Sequence, residues 1–155
     1  MNSDYILRRG EEKDFPAVLA LIKELATFEK AADKVSNTVE QMVKDRAHFE
    51  LFVVESEGRI IGMALYYFTY FTWVGKSLYL DDLYVKEEYR GQGIGQDLLK
   101  AIFKVAQDEN CARLRWQVLD WNQPAIDLYE KIGAKLDNEW VNCDFDKKSI
   151  AQFLR

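Results

Sequence analysis

The sequence predicts an α/β fold, a mixed sheet with helices (α+β in its segregation), in a single domain over residues 1–155. Three observations carry this. Segments of helical and strand period mingle without the regular strand–helix repeat of a doubly wound sheet. The middle of the chain reads as a meander of strands joined by short turns. The loop Arg90-Gly91-Gln92-Gly93-Ile94-Gly95 lies between an apolar strand-like run, Leu78 to Val85, and a helix-like run, Ile94 to Gln107. A chain of 155 residues, 48% hydrophobic and 30% charged, suits one sizeable core in a soluble globular protein.

The elements follow in order. Ile6 to Arg9 predicts a short first strand. Asp14 to Phe28 places Phe15, Val18, Leu19, Leu21, Ile22, Leu25 and Phe28 at helical spacing. Lys30 to Asn37 is polar and turn-like. Thr38, with Gln41 three residues on, has the pattern of a capping box and opens a second, shorter helix. Leu51 to Glu55 and Ile60 to Thr69 are strands around the hairpin-type turn Ser56-Glu57-Gly58-Arg59. A loop over Phe71 to Lys76 holds Trp73 and Gly75, and Ser77 to Val85 is the next strand. After the glycine loop and its helix come a strand over Arg113 to Leu119 and a helix over Ala125 to Ile132. Asn122 as N-cap and Pro124 near N1 suit that helix start, and Gly133 suits its end. Trp140 to Phe145 is expected as a last strand, with a terminal helix over Ser149 to Leu154.

Composition excludes some classes of function. The formal charge of -5 lacks the basic footprint of a nucleic-acid binder and weakly favours a cationic small partner. Cys111 and Cys143 lie far apart with no CxxC or Cys/His spacing, so no metal site is expected and both thiols are expected buried and inert. No run approaches the roughly 18 apolar residues of a membrane span, and no basic start precedes an apolar stretch. A cytoplasmic place without a membrane partner is the expectation. His48, the single histidine, falls near the end of the second helix, where a surface role is expected and no triad can be built around it.

The glycine loop carries the chemistry. Bare backbone at a helix start, with the positive end of the helix dipole, makes an anion site of the kind that holds a pyrophosphate. Arg90 adds a cation beside it. No GK[ST] follows, so the loop is not a P-loop, and it comes too late in the chain for a dinucleotide fingerprint. The second constellation, Trp121-Asn122-Gln123-Pro124 through Tyr129 to Gly133, puts a tyrosine on a helix about one turn after Ala125 and Ile126. By spacing alone Tyr129 reads as a core aromatic.

Together these segments resemble the GNAT superfamily of acetyl-CoA-dependent N-acetyltransferases. The family loop Q/R-x-x-G-x-G/A is matched by Arg90, Gly93 and Gly95, and the later N-x-x-A/S-x-x-x-Y-x-x-x-G by Asn122, Ala125, Tyr129 and Gly133. Within that superfamily Leu21-Ile22-Lys23-Glu24-Leu25-Ala26, Tyr66-Tyr67-Phe68-Thr69-Tyr70, Trp73-Val74-Gly75-Lys76 and Leu78-Tyr79-Leu80-Asp81-Asp82 resemble the spermidine/spermine (diamine) and thialysine acetyltransferase branch. The resemblance implies a GNAT fold with a splayed central strand. It also implies acetyl-CoA as cosubstrate and direct attack by a small primary amine of a diamine, a polyamine or a lysine-like amino acid.

The resemblance also implies roles for residues. Leu83, Tyr84 and Val85 would pair with the pantetheine arm, and Arg90, Gly91, Gln92, Gly93, Ile94, Gly95 and Gln96 would hold the pyrophosphate. Asn122 would touch the cofactor arm, and Tyr129 would sit near the thioester sulfur as proton donor to the thiolate. Asp81, commonly Glu in this branch, would receive the amine's proton through a bridging water, with Asp82 as runner-up. Adjacent strand residues point to opposite faces, so only one of the two is expected to line the site. Glu29 beside Phe28 would bind the acceptor, with Trp73 and Glu139 as weaker candidates. The loop Tyr70-Phe71-Thr72-Trp73 lacks the acidic residue that polyamine-specific members often carry, which favours shorter amines. A homodimer is implied, with the aromatic run Tyr66 to Phe71 as a surface for it. Two other readings fit the motifs: a peptide, protein or aminoglycoside amine as acceptor, or a module that binds acyl-CoA without transfer.

Overall fold

The computed structural model describes residues 4–155, which form two compact units divided after Gln117. In the first, five strands lie in one sheet in chain order. They are β1 (Ile6–Arg9), β2 (Glu50–Ser56), β3 (Arg59–Phe71), β4 (Gly75–Val85) and β5 (Arg113–Arg115). β1 to β4 are antiparallel neighbours, and β5 pairs with β4 in parallel. Helices α1 (Phe15–Phe28) and α2 (Val39–Lys44) follow β1, and α3 (Ile94–Asp108) makes the crossover from β4 to β5.

Strand alternation sorts the core into two layers. Leu51, Val53 and Met63 pack against Phe15, Val18, Leu19, Leu21 and Met42 on the α1 side. Phe52, Val54, Ala64, Tyr66, Leu78 and Leu80 pack against Ile94, Leu98, Ile102 and Val105 on the α3 side. The helices begin where side chains allow. Pro16 occupies the first turn of α1, and the Thr38 hydroxyl accepts from the Gln41 N–H at 3.1 Å to open α2.

β4 breaks its alternation once. Tyr66 pairs with Leu80 and Leu65 with Asp82, so Asp81 is an extra residue, a β-bulge. Before it Leu78 and Leu80 face α3; after it Leu83 does, with Val85, and Tyr84 turns to the α1 side. Asp81 and Asp82 therefore share the α1 face. This corrects the expectation of opposite faces, which holds only for an unbroken ladder.

The second unit contains α4 (Gln123–Lys131) and α5 (Lys147–Phe153). Asn122 is the N-cap of α4, with Pro124 in its first turn. Its end is a Schellman motif: Gly133, at φ 101, donates to the Glu130 carbonyl and Ala134 to that of Tyr129. The Asp146 carboxylate accepts from the Ser149 N–H at 2.8 Å and caps α5.

Three expectations are corrected. The strand over 113–119 stops at Arg115, where β5 leaves β4. No strand forms over 140–145. There Asp137 takes the Glu139 N–H and the Trp140 Nε1–H, local bonds that compete with extended pairing. Cys143 lies in that stretch and is exposed, and Cys111 is only half-buried. His48 keeps the surface place expected of it, exposed on a 3₁₀ turn, Arg46–His48, just beyond α2.

Candidate active site

The glycine loop has the form an anion needs. Gly91 and Gly93 take φ of 79 and 84, and a Cβ built on either would meet nothing within 4 Å. Backbone conformation, not crowding, thus requires glycine there, and the space over the loop is open. Gly93 caps α3 with no side-chain bond. The first-turn amides of Ile94, Gly95 and Gln96 have no intrahelical acceptor and point out of the positive helix end. Val85 Cγ2 would lie 3.9 Å from a Cβ on Gly95, so the helix start packs close to the end of β4.

Beside this loop β4 has one open edge. β5 accompanies it only over Ser77 to Tyr79, whereas β3 pairs with it up to Val85. The Lys86 N–H donates to the Ile61 carbonyl at 2.9 Å. Ile61 and Lys86 are thus a hydrogen-bonded pair, and by antiparallel alternation Gly62–Val85 and Ala64–Leu83 are not. The backbone groups of Leu83 and Val85 therefore point into the gap, and those of Tyr84 point to β3. Within the expected strip Leu83-Tyr84-Val85, Tyr84 does not offer its backbone. Its ring is buried in the core on the α1 side.

The α1 face of the bulge collects carboxylates. Glu29 is the C-cap residue of α1. Burial pushes Asp82 up to about 7, helped by the charges of Asp81 and Glu29. Burial also raises Asp81, and burial followed by the charge of Asp81 raises Glu29. Tyr67 and Tyr79 stand with them as cross-strand partners, their rings stacked at 5.4 Å between centroids. Both phenols are raised by burial and then by Asp81. Sequence reasoning missed this pair. Tyr79 lies two residues before Asp81 on one strand, a same-face spacing that could have revealed it.

The other candidates distribute unevenly. Phe28 and Tyr84 both approach the Arg90 guanidinium, which donates from Nε to the Val85 carbonyl at 3.0 Å. Trp73 is not brought to the carboxylates. It sits in the β3–β4 turn, 82% exposed. Six residues of extended β4 separate Gly75 from Asp81, about 20 Å at strand rise. Asn122, Tyr129 and Glu139 belong to the second unit. Tyr129 is half-buried on α4, and Glu139 is exposed in the segment before α5. Among the described residues no group of three or more His, Cys, Asp or Glu is placed to hold a metal ion, and no helix is long and apolar enough to cross a membrane.

Comparison with known proteins agrees with this geometry. The profile of the Acetyltransferase (GNAT) family matches residues 15–134. Thialysine N-epsilon-acetyltransferase of Sus scrofa is 41% identical over 142 residues, 84% of each chain. The enzyme of the same name from Caenorhabditis elegans is 39% identical over 144 residues, 88% of each. The human spermidine/spermine N(1)-acetyltransferase-like protein 1 is 37% identical over 84% of this chain and 21% of its own length. Among solved structures, an integron cassette protein from the mobile metagenome of V. cholerae superposes with a TM-score of 0.75 at 22% identity, covering 97% of this chain and 98% of the other. An aminoglycoside acetyltransferase from an uncultured soil metagenomic sample gives 0.75 at 20% identity, covering 94% and 97%. The splayed strand, the bare first-turn amides of the glycine-loop helix and the family match lead to one conclusion: this chain belongs to the GNAT family and is an N-acetyltransferase.

Proposed function

We propose that the chain moves the acetyl group of acetyl-CoA to a primary amine of a small cationic acceptor by direct attack. The acceptor is a diamine or a lysine- or thialysine-like amino acid ahead of a long polyamine. The observation that carries this reading is the group Glu29, Asp81 and Asp82, set beside the stacked Tyr67 and Tyr79 on one face of β4. Such a face offers negative charge and π faces to a cation. Relatives named for thialysine and for spermidine/spermine support it. The acid-free loop before Trp73 favours the shorter acceptors.

The residues fit the cosubstrate. Amides from Gly91 to Gln96 hold the diphosphate at the α3 start, and Leu83 and Val85 present edge groups to the amide-bearing arm. Acetyl-CoA supplies an activated acetyl thioester. The acceptor's ammonium must lose a proton before it has a lone pair. Asp82 receives that proton, directly or through water, because a base is most effective with its pKa near the working pH. This reverses the order expected from the sequence, where Asp81 came first. Asp81 on the bulge and Glu29 hold the cationic acceptor in place, and Glu139 is a further acidic candidate for its distal end. Tyr129 donates its phenolic proton to the departing thiolate, and Asn122 contacts the cofactor arm. No cysteine occupies a position for a covalent intermediate in this scheme.

A thiol-release assay over thialysine, lysine, short diamines, spermidine and N-terminal peptides tests the proposal. Turnover highest with the short cations is expected. Turnover on peptides or aminoglycosides alone overturns it, as does tight CoA binding with no turnover on any amine. We also infer a homodimer in the cytoplasm. Phe68, Tyr70 and Trp73 support the dimer, exposed to 40%, 71% and 82% on one hairpin. Sedimentation at micromolar concentration as a monomer would remove it. The free thiols of Cys111 and Cys143 suit a reducing compartment.

A further inference from the structure

The α1 face of the sheet continues past the carboxylates toward the β3–β4 turn, and there its charge changes sign. Arg113 pairs with Ser77 and Arg115 with Tyr79 across β4 and β5. Aligned partners send their side chains to one face, so both arginines share the face of Tyr79, Asp81 and Asp82. Phe71, four residues beyond Tyr67 on β3, lies on it too. The guanidinium carbons of Arg115 and Arg113 stand 4.6 and 5.0 Å from the centre of its ring.

Two like charges thus gather around one half-buried ring. Arg8, Lys76 and Lys86 meet carboxylates at 2.8, 2.7 and 3.1 Å. Among the described residues Arg113 and Arg115 meet none, and neither makes a side-chain hydrogen bond. A guanidinium resting on a ring still has the N–H groups of its edge to give, and that fork fits a carboxylate. The Tyr79 phenol feels both signs. Burial raises it first and the charge of Asp81 next, while Arg115 pulls it down.

The spacing suits one molecule that carries both charges. Asp81 follows Tyr79 by two residues and Arg115 sits beside Tyr79 on the next strand, about 8 Å from Asp81 between Cα atoms. An extended lysine holds its ε-nitrogen and its carboxylate about 7 Å apart. With a hydrogen bond of about 2.8 Å at each end, it reaches from the β4 carboxylates to a guanidinium that leans toward Phe71. A diamine ends instead in a second ammonium, which the arginines repel. The hairpin end that lacks an acid before Trp73 is therefore not neutral but basic.

We propose, on the reading of Glu29, Asp81 and Asp82 as the acceptor site, that Arg115, aided by Arg113, binds the α-carboxylate of an amino-acid acceptor. The pair thereby selects lysine- and thialysine-like acceptors over diamines.

The test offers the intact chain three acceptors with acetyl-CoA. They are lysine, lysinamide, whose carboxylate charge is removed, and cadaverine, the diamine left when lysine loses its carboxylate. Wild type is expected to use lysine about ten- to hundredfold better than either in kcat/KM. Arg115→Gln brings this preference near unity, mainly through the KM of lysine, and Arg115→Glu reverses it in favour of cadaverine. Arg113→Gln lowers the preference by a smaller factor, because Ser77 stands further from the carboxylates than Tyr79 does. An equal fall for all three acceptors in Arg115→Gln overturns the proposal and leaves the arginines as packing for Phe71. So does a wild type that uses lysinamide or cadaverine as well as lysine, a comparison that needs no variant to fold. In both cases turnover of cadaverine keeps the acceptor site standing. Turnover of none of the three overturns the site and the proposal together.

Discussion

The two halves of β4 differ in what surrounds them. From Ser77 to Leu80 the strand lies in the sheet interior, with β3 on one side and β5 on the other over Ser77 to Tyr79, and Leu78 and Leu80 are buried under α3. From Asp82 to Val85 it keeps β3 alone, and one edge stands open beside the glycine loop. Asp81 is the joint between them. Both halves send apolar side chains into the core, but only the second has backbone groups on an unpaired edge. One inserted residue does two things at once: it puts both aspartates on the α1 face and returns Leu83 to the α3 face.

The contrast can be broken most sharply at Asp82. Asp82→Asn is expected to lower kcat about 100- to 10,000-fold, the span for loss of a general base. Thermal stability should not fall, because a half-buried charge with no ion-pair partner among the described residues is removed. A melting point lowered with kcat intact would assign this carboxylate to structure. Tyr129→Phe follows, with turnover reduced about ten- to thousandfold in saturating substrate; unchanged turnover would remove the phenol from the chemistry.

In the interior half the expectation inverts. Leu78→Ala should cost about 2–5 kcal/mol of unfolding free energy, read by urea titration. Its kcat at a temperature where it stays folded should match wild type within about threefold, and a larger loss would erase the division of labour along the strand. The smallest effect is in pH. Asp82 titrates at about 7 in the fold, and only its carboxylate form accepts a proton. The kcat/KM should therefore rise with pH through about 7, up to tenfold per unit below it. The sign for stability is opposite. The folded state holds this proton more tightly than an unfolded aspartate of pKa about 3.9, so the contribution of Asp82 to stability is lost as pH rises between those values. A flat profile across this window would sharpen attention on a different base.

Much of this architecture is legible in the sequence. The helical spacing from Phe15 to Phe28, the glycine loop and the Asn122–Gly133 segment each declare themselves through local chemistry: periodicity, positive φ, caps. What the sequence hides depends on partners. Two adjacent aspartates do not say which is the extra residue, because a bulge exists only relative to the strand opposite. Tyr67 and Tyr79 are twelve positions apart and meet only through the register of β3 with β4. Trp140 to Phe145 has strand propensity but finds local hydrogen bonds instead, and the reach of the β3–β4 hairpin carries Trp73 away from the carboxylates.

The clasp that closes α4 has a consequence for Tyr129. The carbonyl of this residue is itself the anchor for the Ala134 amide, and Gly133 supplies the left-handed turn that makes the reach possible. The residue whose side chain is proposed to give up a proton is thus the one whose main chain locks the helix end. Any side chain at position 133 would strain that left-handed turn, so the lock on the end of α4 depends on an atom the glycine does not have.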